Sequence, residues 1–144
     1  MKKLVVFMSL LVTIMSLTTS FALAAGPQKN LVDLGDGYWM EETINSYHLE
    51  RGGSRVSGNK SAKVMHGSKL VGTATLTATF DISGASAKVI DHYIWGFGEN
   101  GGVYVQGSSR SSGNTAYGTA YFSFNDADKV AHLSISCSSN GTLP

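Results

Sequence analysis

Apolar and polar side chains alternate along residues 70–82. The even positions are apolar or small: Leu70, Gly72, Ala74, Leu76, Ala78, Phe80 and Ile82. The odd positions from 73 onward are Thr73, Thr75, Thr77, Thr79 and Asp81. Because a β-strand turns successive side chains to opposite faces, this pattern predicts a strand with a buried even face and a threonine row toward solvent.

Further strands are predicted on both sides of this one, separated by clusters of Gly, Ser, Asn and Asp. Residues 60–65 are expected to form a hairpin with it across His66-Gly67-Ser68, and residues 85–95 to follow it. The second half of the chain predicts three more strands, over residues 103–110, 114–124 and 130–137, with turns at 111–113 and 125–128. Residues 40–51 fit either a helix of three turns or a strand.

This series of short strands predicts an all-β fold of six to seven strands. An antiparallel β-sandwich (immunoglobulin-like) and a small barrel are both consistent with the spacing. Even positions 116–124 and odd positions 131–137 repeat the pattern of one buried face. Residues 37–144 are therefore expected to form a single β-sandwich domain.

The amino-terminal segment has the features of an export signal. Lys2 and Lys3 precede a nearly unbroken apolar run over residues 4–17, and Ala22-Leu23-Ala24 supplies the small-x-small pattern of a signal-peptidase site. The run is shorter than the roughly 20 residues that span a bilayer, so we expect no permanent membrane anchor. Residues 1–24 are predicted to be a signal peptide and residues 25–36 a flexible arm, with the mature protein secreted to the extracellular or cell-wall space.

Charge argues against one class of partner. Removal of Lys2 and Lys3 leaves nine basic residues against ten acidic ones. A domain so close to neutral lacks the basic surface that nucleic-acid binding requires. We therefore expect no nucleic-acid partner.

Two segments of the chain resemble a known group of proteins. They are Leu76-Thr-Ala-Thr-Phe80 with Asp81-Ile-Ser-Gly84, and Leu133-Ser-Ile-Ser-Cys137 with Ser-Ser-Asn140-Gly141. They resemble small exported proteins of Gram-positive bacteria, a group of β-domains of unknown function, and the likeness extends over roughly residues 60–141. It implies an all-β fold in an extracellular setting, and it carries over no catalytic or ligand-binding residue.

The residue types that most often carry chemistry do not form a recognisable catalytic or metal-binding pattern. Cys137 continues the apolar series of the last strand and is expected to be buried and unreactive. The four histidines (His48, His66, His92 and His132) are dispersed, and Asp126 and Asp128 lack the later ligands of a calcium loop. Glu41 and Glu42 are adjacent, so they point in different directions in a strand or a helix. We expect no cofactor, no metal and no enzymatic activity.

Aromatic side chains supply the candidate binding residues. Tyr117 and Tyr121 fall on the outward face of their predicted strand, where an exposed ring suits stacking on a sugar or a peptide plane. Trp95 and Tyr104 are predicted to extend this surface, although these rings, like those of Trp39 and Phe97, also suit a core.

The sequence thus predicts a secreted, non-enzymatic β-domain that binds a glycan, the cell wall or a protein outside the cell. The alternative is a secreted bacteriocin-like or effector protein, which small size, export and few charges also permit.

Overall fold

Eight β-strands make up the fold of the computed structural model, which describes residues 29–49 and 53–144. They are β1 (Lys29–Gly35), β2 (Tyr38–Leu49), β3 (Arg55–His66), β4 (Lys69–Asp81), β5 (Lys88–Gly98), β6 (Val103–Ser112), β7 (Thr115–Phe124) and β8 (Ala127–Ser136). The predicted signal peptide lies outside the described residues.

The strands form two antiparallel sheets that pack face to face. One sheet has five strands in the order β1-β2-β3-β4-β5, and the other has three in the order β6-β7-β8. Strand β8 lies over β3, and β7 lies over β4 and β5. The all-β class and the sandwich are therefore confirmed.

The connectivity differs from the prediction in two respects. The described residues form eight strands, not six or seven, and each strand pairs only with its neighbours in the chain. An immunoglobulin-like sandwich needs Greek-key connections that carry the chain between sheets. That part of the prediction is wrong, because each strand pairs with the next one in the chain, in one meander that crosses between the sheets once, after β5.

The extra strand comes from the segment predicted to be a flexible arm. Within residues 25–36, Lys29–Gly35 forms β1, an edge strand paired with β2 from Lys29 opposite Thr43 to Gly35 opposite Tyr38. The following loop is Asp36-Gly37, and both residues have positive φ (55° and 78°). An Asp-Gly pair with two positive φ values is typical of a tight hairpin, and it was the signal for β1 in the sequence.

The segment left open between helix and strand is a strand up to Leu49, and residues 50–52 lie outside the described part. In β2 the side chains of Tyr38, Met40 and Glu42 are buried, whereas those of Trp39 and Glu41 are only partly buried. This alternation has the two-residue period of a strand. Tertiary packing of one face therefore decided the conformation.

The core lies between the even face of β4 and the inner faces of the facing strands. Leu76 and Phe80 are completely buried, as predicted. On the opposite sheet, Phe122 and Ile135 each retain only 2% of their surface. The ring of Phe122 lies so close to Gly72 that a Cβ there would collide with it. Gly72 thus allows the two sheets to approach each other at this point.

The threonine row of β4 faces away from the core, as predicted, with one qualification. Thr73, Thr77 and Thr79 are partly exposed, but Thr75 retains only 8% of its surface. Its hydroxyl shares a 2.9 Å hydrogen bond with that of Ser61 on β3, and it lies opposite Trp95 on β5. A side chain on an outer face is therefore buried by its larger neighbours.

A glycine-rich corner carries the chain from one sheet to the other. Residues 99–102 connect β5 to β6, and the backbone N–H of Glu99 donates to the carbonyl of Val71 at 2.9 Å. Gly102 packs against the same carbonyl, where any Cβ would collide with it. The corner thus requires glycine at 102 and fixes where β5 ends.

Candidate functional site

The four aromatic residues predicted to form a binding surface lie in three different places. Trp95 is on the outer face of the five-stranded sheet and is 47% exposed. Tyr117 and Tyr121 are on the outer face of the three-stranded sheet, on the far side of the sandwich. Tyr104 points inward, where its ring lies 5.6 Å from that of Phe122 and burial raises the pKa of its hydroxyl. The structure therefore does not bring these residues together.

Trp95 instead belongs to a row of three aromatic side chains on β5. Tyr93, Trp95 and Phe97 alternate along the strand and are 52%, 47% and 43% exposed. The rings of Trp95 and Phe97 are stacked, with centroids 6.0 Å apart and planes inclined by 22°. The sequence contained this signal as aromatic residues at every second position, but exposure of Tyr93 and Phe97 depends on neighbours that only the fold supplies.

These rings are exposed because their neighbours are short. Strand β5 is an edge strand, so each ring has a cross-strand partner on one side alone. The partners are threonines: Thr77 opposite Tyr93, Thr75 opposite Trp95 and Thr73 opposite Phe97. A threonine side chain is too short to cover an aromatic ring beside it. The β5 row, as we call Tyr93, Trp95 and Phe97, therefore rises above the rest of the sheet surface.

A groove of about 580 Å³ runs beside Trp95 and Phe97 of the β5 row across the outer face of the sheet. It is lined by Lys29, Glu41, Thr43, Asn59, Ser61, Lys63, Thr73, Thr75, Trp95 and Phe97. Most of these side chains belong to two lines of directly paired residues that cross all five strands. One line is Lys29-Thr43-Ser61-Thr75-Trp95, and the other is Leu31-Glu41-Lys63-Thr73-Phe97.

The groove has chemically different sides. Trp95 and Phe97 form an aromatic wall at β5, while hydroxyl groups from β3 and β4 form the floor. At the β1 side Lys29 Nζ lies 3.2 Å from Glu41 Oε1 in an ion pair. With strands about 4.8 Å apart, the groove extends about 19 Å from β1 to β5. It offers a flat apolar surface, several hydroxyl donors and acceptors, and charged groups to one extended ligand.

The outer face of the three-stranded sheet is different. Arg110 on β6 lies opposite Tyr117 on β7, and its guanidinium carbon is 4.5 Å from the centre of the tyrosine ring. Tyr121 is 38% exposed. Thr119, between the two tyrosines, shares a 3.3 Å hydrogen bond with Nδ1 of His132. The ring of Tyr117, one of the two predicted binding residues on this face, is therefore covered by Arg110 from the neighbouring strand.

The adjacent glutamates and the cysteine considered above have contacts that stabilise the fold. Glu41 faces outward and Glu42 inward, as the strand requires, and Glu42 forms an ion pair with Lys60 at 2.9 Å. Cys137 is fully buried and forms no disulfide, and burial raises the pKa of its thiol. A raised pKa reduces the thiolate fraction, so the geometry disfavours a nucleophilic role.

His66, His92 and the aspartate pair also lie apart from the groove. His66 packs against Tyr38 and Phe124, and His92 Nδ1 shares a 2.9 Å hydrogen bond with Ser109. The side chain of His48 lies outside the described part. Asp126 has a φ of 59° in the turn after β7, and β8 resumes at Ala127, so the predicted turn is shorter than expected.

Within residues 29–49 and 53–144, no group of three or more His, Cys, Asp or Glu side chains is arranged to hold a metal ion. The same residues include no helix with the length and apolar character needed to cross a bilayer. A scan against protein-family models found no match, and searches of curated proteins and of solved structures found none either.

Proposed function

We propose that this protein binds a carbohydrate chain outside the cell through the groove beside the β5 row. The observation that carries the proposal is the stacked, half-exposed pair of Trp95 and Phe97 next to a floor of hydroxyl groups. The apolar face of a sugar ring packs on an aromatic ring, and its hydroxyls need hydrogen-bond partners at the edge. The groove offers both kinds of group within one surface.

The shape of the groove favours an extended ligand over a small enclosed one. It is an open depression, lined by residues from all five strands, and it runs along two lines of paired residues. A small molecule would leave most of this surface in water. A chain of sugar units would contact the aromatic wall with one unit and the polar side chains with others.

Binding to a glycan array, followed by calorimetry with the best ligand, tests the proposal. Trp95→Ala should weaken binding by at least about tenfold, because a stacked ring contributes about 0.5–1.5 kcal/mol beyond the apolar area it buries. Tyr121→Ala is the matched control, since it removes an exposed aromatic ring from the opposite sheet. It should leave the affinity unchanged.

Two results would contradict the proposal. One is the absence of binding to any carbohydrate on the array. The other is an equal loss of affinity in Trp95→Ala and Tyr121→Ala, with both variants folded by circular dichroism. The second result would place the ligand elsewhere on the sandwich.

A further inference from the structure

One lysine in the groove has no anionic partner among the described residues. Lys63 is exposed, lines the groove and lies directly opposite Glu41 on β2. The carboxylate of Glu41 nevertheless forms its ion pair with Lys29. Within the part of the chain that the structure describes, the ammonium of Lys63 therefore forms no ion pair, and it lies on the surface where the ligand is proposed to bind.

Three other lysines of the domain contact a carboxylate or an aromatic ring, whereas Lys63 makes no such contact with any residue that the structure describes. Lys60 pairs with Glu42 at 2.9 Å, and Lys129 pairs with Asp36 at 2.8 Å. Lys69 lies over the ring of Phe124, with Nζ 4.9 Å from its centre. The groove itself is lined by two lysines and one glutamate, so it carries a net charge of +1.

The position of Lys63 fits an acidic group on a bound sugar chain. It belongs to the same line of paired residues as Phe97, with Thr73 between them. Two strand spacings, about 10 Å, therefore separate the lysine backbone from that of the aromatic wall. A sugar unit on Trp95 and Phe97 would place the next part of the chain over Thr73 and Lys63.

We propose that the groove selects an anionic sugar chain, and that Lys63 binds its carboxylate or phosphate. This inference rests on the carbohydrate-binding function proposed above. An ammonium group offers three donors and a compact charge, so it forms charge-assisted hydrogen bonds with either anion. A neutral chain stacks on the same rings and leaves Lys63 unpaired.

The experiment compares each acidic polymer with its own neutral form. The panel contains polygalacturonate and hyaluronan, each beside the same polymer with its carboxylates reduced to alcohols, and a mannan carrying phosphomonoesters beside the same mannan after a phosphatase has removed its phosphates. Full-length mature protein should bind at least one acidic polymer about five- to tenfold more tightly than the neutral form, the range between an exposed ion pair and a charge-assisted hydrogen bond. Added salt should remove most of this preference.

Lys63→Gln identifies the residue responsible. It should remove the preference, so that the acidic and neutral forms of the polymer bind with equal affinity. Lys88→Gln is the matched control: it removes one positive charge from an exposed lysine that does not line the groove. It should retain the preference. The polymer pair whose affinity ratio changes in Lys63→Gln shows whether the lysine binds a carboxylate or a phosphate.

Failure of this inference is distinguishable from failure of the proposed function. If acidic and neutral forms bind equally and Trp95→Ala weakens both, the groove binds carbohydrate without charge selection and the inference is wrong. The inference is also wrong if Lys63→Gln and Lys88→Gln behave alike. If no polymer of the panel binds, the inference is wrong, and the proposed function is wrong as well if no carbohydrate on the array binds.

Discussion

The outer faces of the two sheets both carry aromatic side chains, but the neighbours of those side chains differ. On the five-stranded sheet the β5 row lies beside threonines and remains about half exposed. On the three-stranded sheet Tyr117 lies opposite Arg110, which covers its ring. The comparison shows that the cross-strand partner of an aromatic side chain, more than its own outward direction, decides whether its face is open to a ligand.

Strand position adds to this difference. The β5 row is on an edge strand, with cross-strand neighbours on one side, whereas Tyr117 is on β7, between β6 and β8. A ring on a central strand has two flanking strands whose side chains lie within contact distance. An edge strand is thus the better place for an aromatic surface that must stay accessible.

The largest expected effect separates the shared core from the outer faces. Phe80→Ala should cost about 3–5 kcal/mol of unfolding free energy, because Phe80 is completely buried and its removal leaves a cavity. Thr77→Ser, on the outer face of the same strand, should cost less than about 1 kcal/mol. Urea melts of both variants measure the difference, and equal destabilisation would mean that the outer face of β4 is as tightly packed as the inner one.

The inner face could be predicted from the sequence, whereas the site could be predicted only in part. Alternation alone assigns Leu76 and Phe80 to the core, because burial of one face imposes a period of two. Exposure of Trp95 depends on Thr75, twenty residues away, and on the register that places them opposite each other. A bulge in β4–β5 between Thr79 and Phe80 shifts that register, and nothing in the local sequence indicates its position.

The same reasoning explains why Tyr104 was assigned to the wrong surface and Tyr121 was not. Tyr104 and Tyr121 are both aromatic residues in predicted strands, yet one packs on Phe122 and the other is exposed. The β6–β7 register shifts between Tyr104 and Gln106. Such a bulge reverses the face of every side chain beyond it, so the alternation within β6 cannot be extended along the whole strand.

An arginine introduced beside the exposed ring of Phe97 should cover that ring and weaken ligand binding. Thr73→Arg places an arginine opposite Phe97, as Arg110 lies opposite Tyr117. We expect the affinity for a carboxyl-reduced, uncharged chain to fall about five- to tenfold, because the guanidinium competes for the ring with about 1 kcal/mol. Thr79→Arg is the control, since it adds the same group opposite Asp91. If calorimetry gives equal affinities for the two variants, the short threonine side chains are not what leaves the Phe97 ring open to a ligand.

A smaller effect is expected from removing the contact between Arg110 and the ring of Tyr117. The coupling between Arg110 and Tyr117, measured by a double-mutant cycle of Arg110→Ala and Tyr117→Leu, should be about 0.5–1 kcal/mol. The corresponding cycle of Thr75→Ala and Trp95→Leu should give a smaller coupling, as no such interaction joins them. If the two couplings are equal in urea melts, then Arg110 does not hold the Tyr117 ring more firmly than Thr75 holds Trp95.

The smallest effect concerns the ion pair that links the two sheets at one edge. Lys129 on β8 lies 2.8 Å from the carboxylate of Asp36, in the turn between β1 and β2, and this hydrogen-bonded ion pair lowers the pKa of Asp36 from its ordinary value. A lowered pKa in the folded protein means that the contribution to stability is fully present above the unfolded pKa and is lost as the pH falls through the folded value. Asp36→Asn should therefore be slightly less stable than the parent at neutral pH and equally stable in strong acid. Urea melts at both pH values test this. A difference that persists in acid would show that Asp36 acts through the geometry of its tight turn and not through its charge.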